Sequence, residues 1–234
     1  MDNILNISGL NKRYGKTHAL KDINLEIPRG KIVGILGPNG SGKTTLMKTI
    51  MGLISDYQGD VRIAGLPPGP AANAHISYLP DRGHIPTWYT VDRAVAFFKD
   101  FYKDFDAALA QEMLSSMKIP TDKKIKALSR GTREKVQLAL VMSRRAALYV
   151  LDEPLGAVDP ASREFIVETI LKNFPEDASI LLSTHIIGDI EPVLDVAVFL
   201  KEGEIVMQDE VDNIREAQGA SLDGLFREVF RNVY

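Results

Sequence analysis

Residues 37–44 read Gly-Pro-Asn-Gly-Ser-Gly-Lys-Thr and fit the pattern G-x-x-x-x-G-K-[ST]. A run of this kind holds an anion with its backbone. The glycines let the chain curl so that successive N–H groups point inward, and a helix beginning just after adds the positive end of its dipole. Lys43 then reaches the outer phosphates of a nucleotide, and the Thr44 hydroxyl can ligate Mg²⁺. Gly37, Pro38, Asn39, Gly40, Ser41, Gly42 and Thr45 complete this candidate nucleotide-binding set. The plainer reading is a glycine-rich structural turn, but the run lies between a strand-like and a helix-like stretch, where a phosphate loop belongs.

Two further segments offer the chemistry a bound triphosphate needs. Residues 148–154 read Leu-Tyr-Val-Leu-Asp-Glu-Pro, an apolar strand ending in adjacent carboxylates. In parallel sheets ligands sit at the carboxyl ends of strands. Asp152 would hold Mg²⁺, directly or through water, and Glu153 would face the attacking water as base or orienter. His185 follows Ser183 and Thr184 at the end of another apolar strand. A lone histidine is often a surface or capping residue; here a neighbouring strand would bring it to the same phosphate. His18, His75 and His84 form no metal-ligand spacing.

Elements must exist to place these groups. Ile23, Leu25 and Ile27 alternate with polar residues, which predicts a half-buried strand. The run 31–37 is almost continuously apolar and predicts a strand buried on both faces. A helix is expected from Lys43, with Leu46, Met47 and Ile50 inward and Gly52 at its end. Val61 and Ile63 suggest an antiparallel edge piece. Val91, Val95, Phe98, Tyr102 and Phe105 keep helical spacing behind Thr90 as N-cap, and residues 133–145 read as another helix. A mostly helical subdomain is therefore expected at about 83–147. Strand–helix alternation then returns. A buried strand covers 147–151, a helix starts at Asp159-Pro160, a strand spans 180–183, and a hairpin turns at Glu202-Gly203. Such alternation predicts a parallel sheet with right-handed crossovers. Residues from about 209 to 234 read as a tail of short helices.

Composition narrows the classes. The 234 residues are 45% hydrophobic and 25% charged, ordinary for a globular chain and too apolar for disorder as the main state. A net charge of −3 gives no basic excess to suggest a nucleic-acid partner. With no cysteine, a disulfide framework and a thiolate metal site are excluded. No apolar run approaches the ~18 residues of a membrane span, and the start lacks the basic region of a signal peptide. The expectation is a cytoplasmic protein that reaches a membrane only through a partner.

With these segments in place, Leu128-Ser129-Arg130-Gly131-Thr132 ahead of a helix resembles the signature loop of ATP-binding-cassette (ABC) ATPases. The order of Tyr14, phosphate loop, lid loop, signature, Asp152-Glu153, Asp159 and His185 is also similar, over roughly residues 1–208. The resemblance implies an α/β fold of the P-loop NTPase type. It has a parallel-sheet core, an antiparallel β part and a helical subdomain, all within one nucleotide-binding domain spanning 1–234. It implies ATP and Mg²⁺ as ligands, with Glu153 and His185 catalytic and Tyr14 stacked on adenine. Ser129, Arg130, Gly131 and Thr132 would act in trans on ATP held by a second cassette, identical or not. Asp159 would couple the two sites, or simply cap its helix. The partner would be a transmembrane permease, and a basic residue third in the signature looks most like exporter-type systems.

Two departures stand out. Arg130 and Thr132 replace the Gly and Gln of the usual Leu-Ser-Gly-Gly-Gln, and Tyr78-Leu79-Pro80 is followed by Asp81 where the lid usually has Gln. Asp81 is a candidate third metal contact through water, or a turn cap. Trp88 and Tyr89 are expected either to face the membrane partner or to cover the helical subdomain. A soluble assembly-scaffold ATPase would share every motif; chromosome-maintenance cassettes are disfavoured by the absence of long heptads. Glu153 and His185 disfavour a nucleotide-binding module without catalysis.

Overall fold

The computed structural model describes residues 3–156 and 159–231. Strands β1 (Asn3–Tyr14) and β2 (Thr17–Pro28) form an antiparallel ribbon. After β3 (Ile32–Leu36) and α1 (Lys43–Ile50), strand β4 (Gln58–Ile63) returns to pair with β1, giving a three-stranded sheet in the order β2-β1-β4. The expected edge piece is thus the edge. A short helix α2 (Pro70–Asn73) leads to β5 (Ile76–Leu79).

Three helices follow: α3 (Val91–Phe101), α4 (Ala107–Ser116) and α5 (Arg130–Met142). The Thr90 hydroxyl accepts from the Arg93 N–H, as the N-cap reading predicts. Helix α3 stops at Phe101, short of Phe105. Helix α5 begins at Arg130, three residues before the expected start, because the Ser129 hydroxyl caps it by accepting from Thr132 N–H. Helix α4 has no counterpart in the sequence reading; the Asp106 carboxylate caps it.

The remaining elements are β6 (Leu148–Asp152), α6 (Pro160–Asn173), β7 (Ser179–Thr184), β8 (Val196–Lys201), β9 (Glu204–Glu210), α7 (Val211–Gln218) and α8 (Leu222–Val229). They complete a six-stranded sheet ordered β5-β6-β7-β3-β8-β9, parallel except for the β8–β9 hairpin. Its central strands β3, β6 and β7 are buried along their whole length because both faces are covered, and their polar residues sit at the strand ends. Val33, Ile35, Val150 and Leu181 pack with α1 and the antiparallel sheet. Ile32, Leu36, Leu151 and Leu182 pack with the helices of the other side.

Two polar clips tie the helical segments to this sheet. The Arg144 side chain, after α5, donates to both Asp104 carboxylate oxygens at 3.1 and 3.0 Å and to the carbonyls of Ile76 and Ala74, while its guanidinium lies 3.9 Å from the Tyr102 ring centre. At the C-terminal side, Glu191 Oε1 accepts from Arg215 Nη2 at 3.1 Å and from the Leu222 N–H that opens α8. There Phe226 and Phe230 close over Phe199 of β8. The described part of the expected tail, up to residue 231, therefore belongs to the core; residues 232–234 lie outside the described residues.

Arg144 is nearly fully buried and holds a carboxylate and two backbone carbonyls. Replacing it by alanine is expected to lower the unfolding free energy by about 3 kcal/mol, since a buried ion pair broken on one side leaves uncompensated groups. Urea unfolding of Arg144→Ala beside the parent checks this; a change under about 1 kcal/mol contradicts it.

Candidate functional site

Three neighbouring strands, β6, β7 and β3, end side by side, and the chemistry sits on their ends. From β3 the chain enters the glycine loop and then α1. Gly42 precedes α1 at φ +114°, where a Cβ would stand 2.7 Å from the Ala19 carbonyl, so the position admits glycine. The start of α1 carries no side-chain cap and no acidic residue in its first turn, and its free N–H groups therefore face the loop. Ser41 Oγ is buried without a hydrogen-bond partner. Lys43, 5% exposed, donates to the carbonyls of Gly37 at 2.7 Å and Pro38 at 3.1 Å, which folds its ammonium into the loop. Asn39 and Gly40 form the exposed tip.

From β6 come the two carboxylates. Asp152 is 1% exposed; its Oδ1 accepts from Ser183 Oγ at 2.6 Å and, more weakly, from Thr44 Oγ1 at 3.4 Å. Its Oδ2 is buried with no partner. Burial pushes the Asp152 carboxyl above the usual carboxylate range, against the two hydroxyl donors, and the nearby charges of Asp81 and Glu153 add to the rise. Glu153 adopts φ +51°, a left-handed conformation costly for a residue with a side chain. Its Oε2 lies 2.9 Å from His185 Nδ1, and its Oε1 lies 3.3 Å from Lys43 Nζ as an ion pair without hydrogen-bond geometry.

Of the residues singled out from sequence, Tyr14, Asn39, Gly40, Gly42, Lys43, Thr44, Thr45, Asp81, Glu153 and His185 line one cavity of about 820 Å³, with Asp152 just behind; Gly37, Pro38 and Ser41 are buried and do not line it. Tyr14 is half exposed at the end of β1, with the Lys12 ammonium 4.9 Å from its ring centre. Asp81 is exposed at the rim of the same cavity. Arg130 reaches the same cavity while pairing with Glu134 at 3.2 Å. Ser129, Gly131 and Thr132 do not line it; they form the capped start of α5. Asp159 is exposed ahead of α6, its carbonyl accepting from the Arg163 N–H.

Ser183 was not singled out by sequence reasoning. In the parallel register it faces Asp152, and it also receives the Glu153 N–H on its hydroxyl at 3.0 Å. The one available signal was its place two residues before His185.

The cavity suits a polyphosphate: N–H groups, a lysine and an uncapped helix start converge on it. The hard oxygens of Thr44, Asp152 and Asp81 suit Mg²⁺, and the unpartnered Asp152 Oδ2 fits that use. Among the described residues no group of three or more His, Cys, Asp or Glu is placed to hold a metal ion. Residues 20–156 match the family model described as ABC transporter. The chain belongs to the ABC transporter family. It is accordingly an ATP-binding subunit of transporter type and an ATPase. It is 31% identical over 216 residues to the ABC transporter ATP-binding protein YtrB of Bacillus subtilis, covering 91% of this chain and 74% of that protein. It is 27% identical over 223 residues to the lantibiotic transport ATP-binding protein SrtF of Streptococcus pyogenes, covering 89% and 92%. The solved ATP-binding subunit of an ABC transporter superposes with a TM-score of 0.85 at 27% identity, over 96% of this chain and 98% of that one. The α/β reading, with an antiparallel β part and helices beside a parallel core, is borne out by this likeness.

Ser183→Ala removes the short hydrogen bond to an already desolvated carboxylate. The unfolding free energy of this ATPase is expected to drop by about 1–3 kcal/mol. Denaturant titration at neutral pH is the check, and an unchanged midpoint contradicts the assigned role.

Proposed function

We propose that this chain is the energy-supplying subunit of a transporter whose membrane-spanning part is a separate permease, and that two cassettes close head-to-tail around two ATP molecules with Mg²⁺. The observation that carries this reading is a division of labour at the site. Lys43, Thr44, Asp152, Glu153 and His185 meet in one place, while Ser129, Gly131 and Thr132 stay away from this chain's own loop. An exposed helix start bearing those residues is complementary to phosphate held by another copy. Identical or not, that second cassette completes the site. Asp159, exposed ahead of α6, would contact the other copy. Among the described residues no helix is long and apolar enough to cross a membrane, so the membrane step requires a partner, with this chain bound to it from the cytoplasm.

Within the site, the residues act in order. ATP lays its triphosphate on the glycine loop from Gly37 to Thr45, with adenine on the Tyr14 ring. The phosphates draw the Lys43 ammonium, and Glu153 loses its cationic neighbour and becomes a freer base. Glu153 takes a proton from the attacking water as the water oxygen bonds to the γ-phosphorus. The bond from that phosphorus to the β–γ bridging oxygen breaks, and ADP and phosphate result. His185, bonded to Glu153 Oε2, keeps the carboxylate aimed. Thr44, Asp152 and, through water, Asp81 would hold Mg²⁺, which when bound neutralises charge on the phosphate oxygens.

The permease face is supported by exposed aromatics beside the lid loop. Trp88 is 69% and Phe101 67% exposed, and Phe97 stacks on Phe101 with centroids 5.8 Å apart. Phe101 also lines a groove of about 910 Å³ with Leu53 and Tyr102. Large rings left in water in one patch mark an interaction surface. Tyr89 differs from its neighbour Trp88: it packs partly against the helical core.

Lys43→Ala is expected to weaken ATP binding by about tenfold or more, for loss of the loop's cation. Glu153→Gln is expected to keep binding but to lower turnover by about 10²–10⁴-fold. Equilibrium dialysis and phosphate release measure the two. Size-exclusion chromatography of Glu153→Gln with Mg-ATP should show a dimer, and a chain monomeric at every concentration speaks against closure with its own copy. Replacing both Trp88 and Phe101 by alanine should leave thermal unfolding within about 2 °C and abolish co-purification with the permease. Marked destabilisation would assign the pair to the core instead.

A further inference from the structure

Behind the phosphate site lies a second, smaller chamber of about 330 Å³, walled by the lid loop on one side and α5 on the other. Asp152 and Glu153 close its inner end. Its lining holds several buried polar atoms with no hydrogen-bond partner: Arg133 Nε, Glu134 Oε2, Gln137 Oε1, Asp152 Oδ2 and Glu153 Oε1, the last in an ion pair with Lys43. Groups so buried are normally satisfied, and a polar space of this size with several partners is the setting for ordered water.

Gln137 is placed differently from the others. It is 8% exposed on α5, and its carboxamide lies against the lid loop so closely that a Cβ at Gly83 would stand 2.8 Å from both Oε1 and Nε2. Gly83 has no positive φ to require glycine; what it provides is room for this side chain. The carboxylates around the chamber can only accept hydrogen bonds and the guanidinium groups only donate, whereas a carboxamide does both. Gln137 can therefore bond a water whichever way that water turns toward the acids.

We propose that Gln137 is a positioning residue for hydrolysis, its carboxamide holding water in the chamber and through that water orienting Asp152 and Glu153. The inference rests on the reading of those two acids as the reaction centre. Because the carboxamide lies between α5 and the lid loop at Gly83, a movement of the helix that starts at Ser129 would change the hydration of the acids.

The test uses the full chain. Gln137→Leu, of similar volume, should lower kcat about tenfold while KM for ATP and the unfolding temperature stay within a factor of two and about 2 °C. Gln137→Glu, which keeps an oxygen in place, should recover part of the loss. Gly83→Ala should lower kcat in the same direction with Gln137 intact, because it displaces the carboxamide. A crystal structure of the parent should show water bonded to Gln137 Oε1 and to one of the two acids. An empty chamber, or an unchanged kcat in both Gln137→Leu and Gly83→Ala, overturns the proposal. Glu153→Gln run alongside separates the two ideas: if it keeps full turnover, the reaction-centre reading fails first; if it is inactive while Gln137→Leu is not, only the role of Gln137 falls.

Discussion

A lysine and two carboxylates taken out of water at the ends of three adjoining strands are the constraint around which this molecule is built. Such charges survive burial only when each has partners close by. Lys43 has two loop carbonyls and Glu153; Asp152 has the hydroxyls of Ser183 and Thr44; Glu153 has His185. These partners come from three segments: Thr44 and Asp152 are 108 residues apart in sequence, and Ser183 follows Asp152 by 31. Only a parallel sheet in which β6, β7 and β3 lie side by side brings them to one edge. The apolar strands beneath supply the rigidity that keeps Glu153 in its left-handed backbone conformation.

The arrangement is also incomplete in a specific way. The N–H groups of the loop have no side-chain cap, Asp152 keeps an unpartnered oxygen, and the Asp152 carboxyl is pushed up by burial. Each of these costs stability in the isolated chain and would be relieved by a phosphate-bearing ligand. Proteins commonly hold such strain where they bind or react, and the surrounding core offsets it.

How much of this was legible in the sequence follows from the range of the interactions. The glycine loop, the acid pair at the end of a strand and the placement of His185 are local patterns, and the structure brings them together as read. Helices α3 and α5 were visible from spacing, but the α5 start was set by the Ser129 cap, a hydrogen bond that periodicity does not register. Helix α4 has only a weak apolar stripe and escaped notice. Arg144, Ser183 and Gln137 owe their importance to partners 31 to 70 residues away in sequence, so their residue types alone carried no signal. The same holds for the tail of short helices, where Val211, Ile214, Leu222, Leu225, Phe226 and Phe230 join the core through partners far away in sequence.

The packing of Phe226 and Phe230 on Phe199 bears on how the chain is made. Strand β8 is hydrogen-bonded to β3, which carries the phosphate loop, yet its large ring stays uncovered until residues as late as 230 have left the ribosome. Domains generally acquire structure from the N-terminal side during synthesis. Here the antiparallel sheet and most parallel strands can form early, but this part of the sheet's helical side is sealed only once residues 226–230 have emerged. The nascent chain thus passes through a stage with an apolar face open, a stretch during which chaperones or a neighbouring nascent copy have most opportunity to engage it.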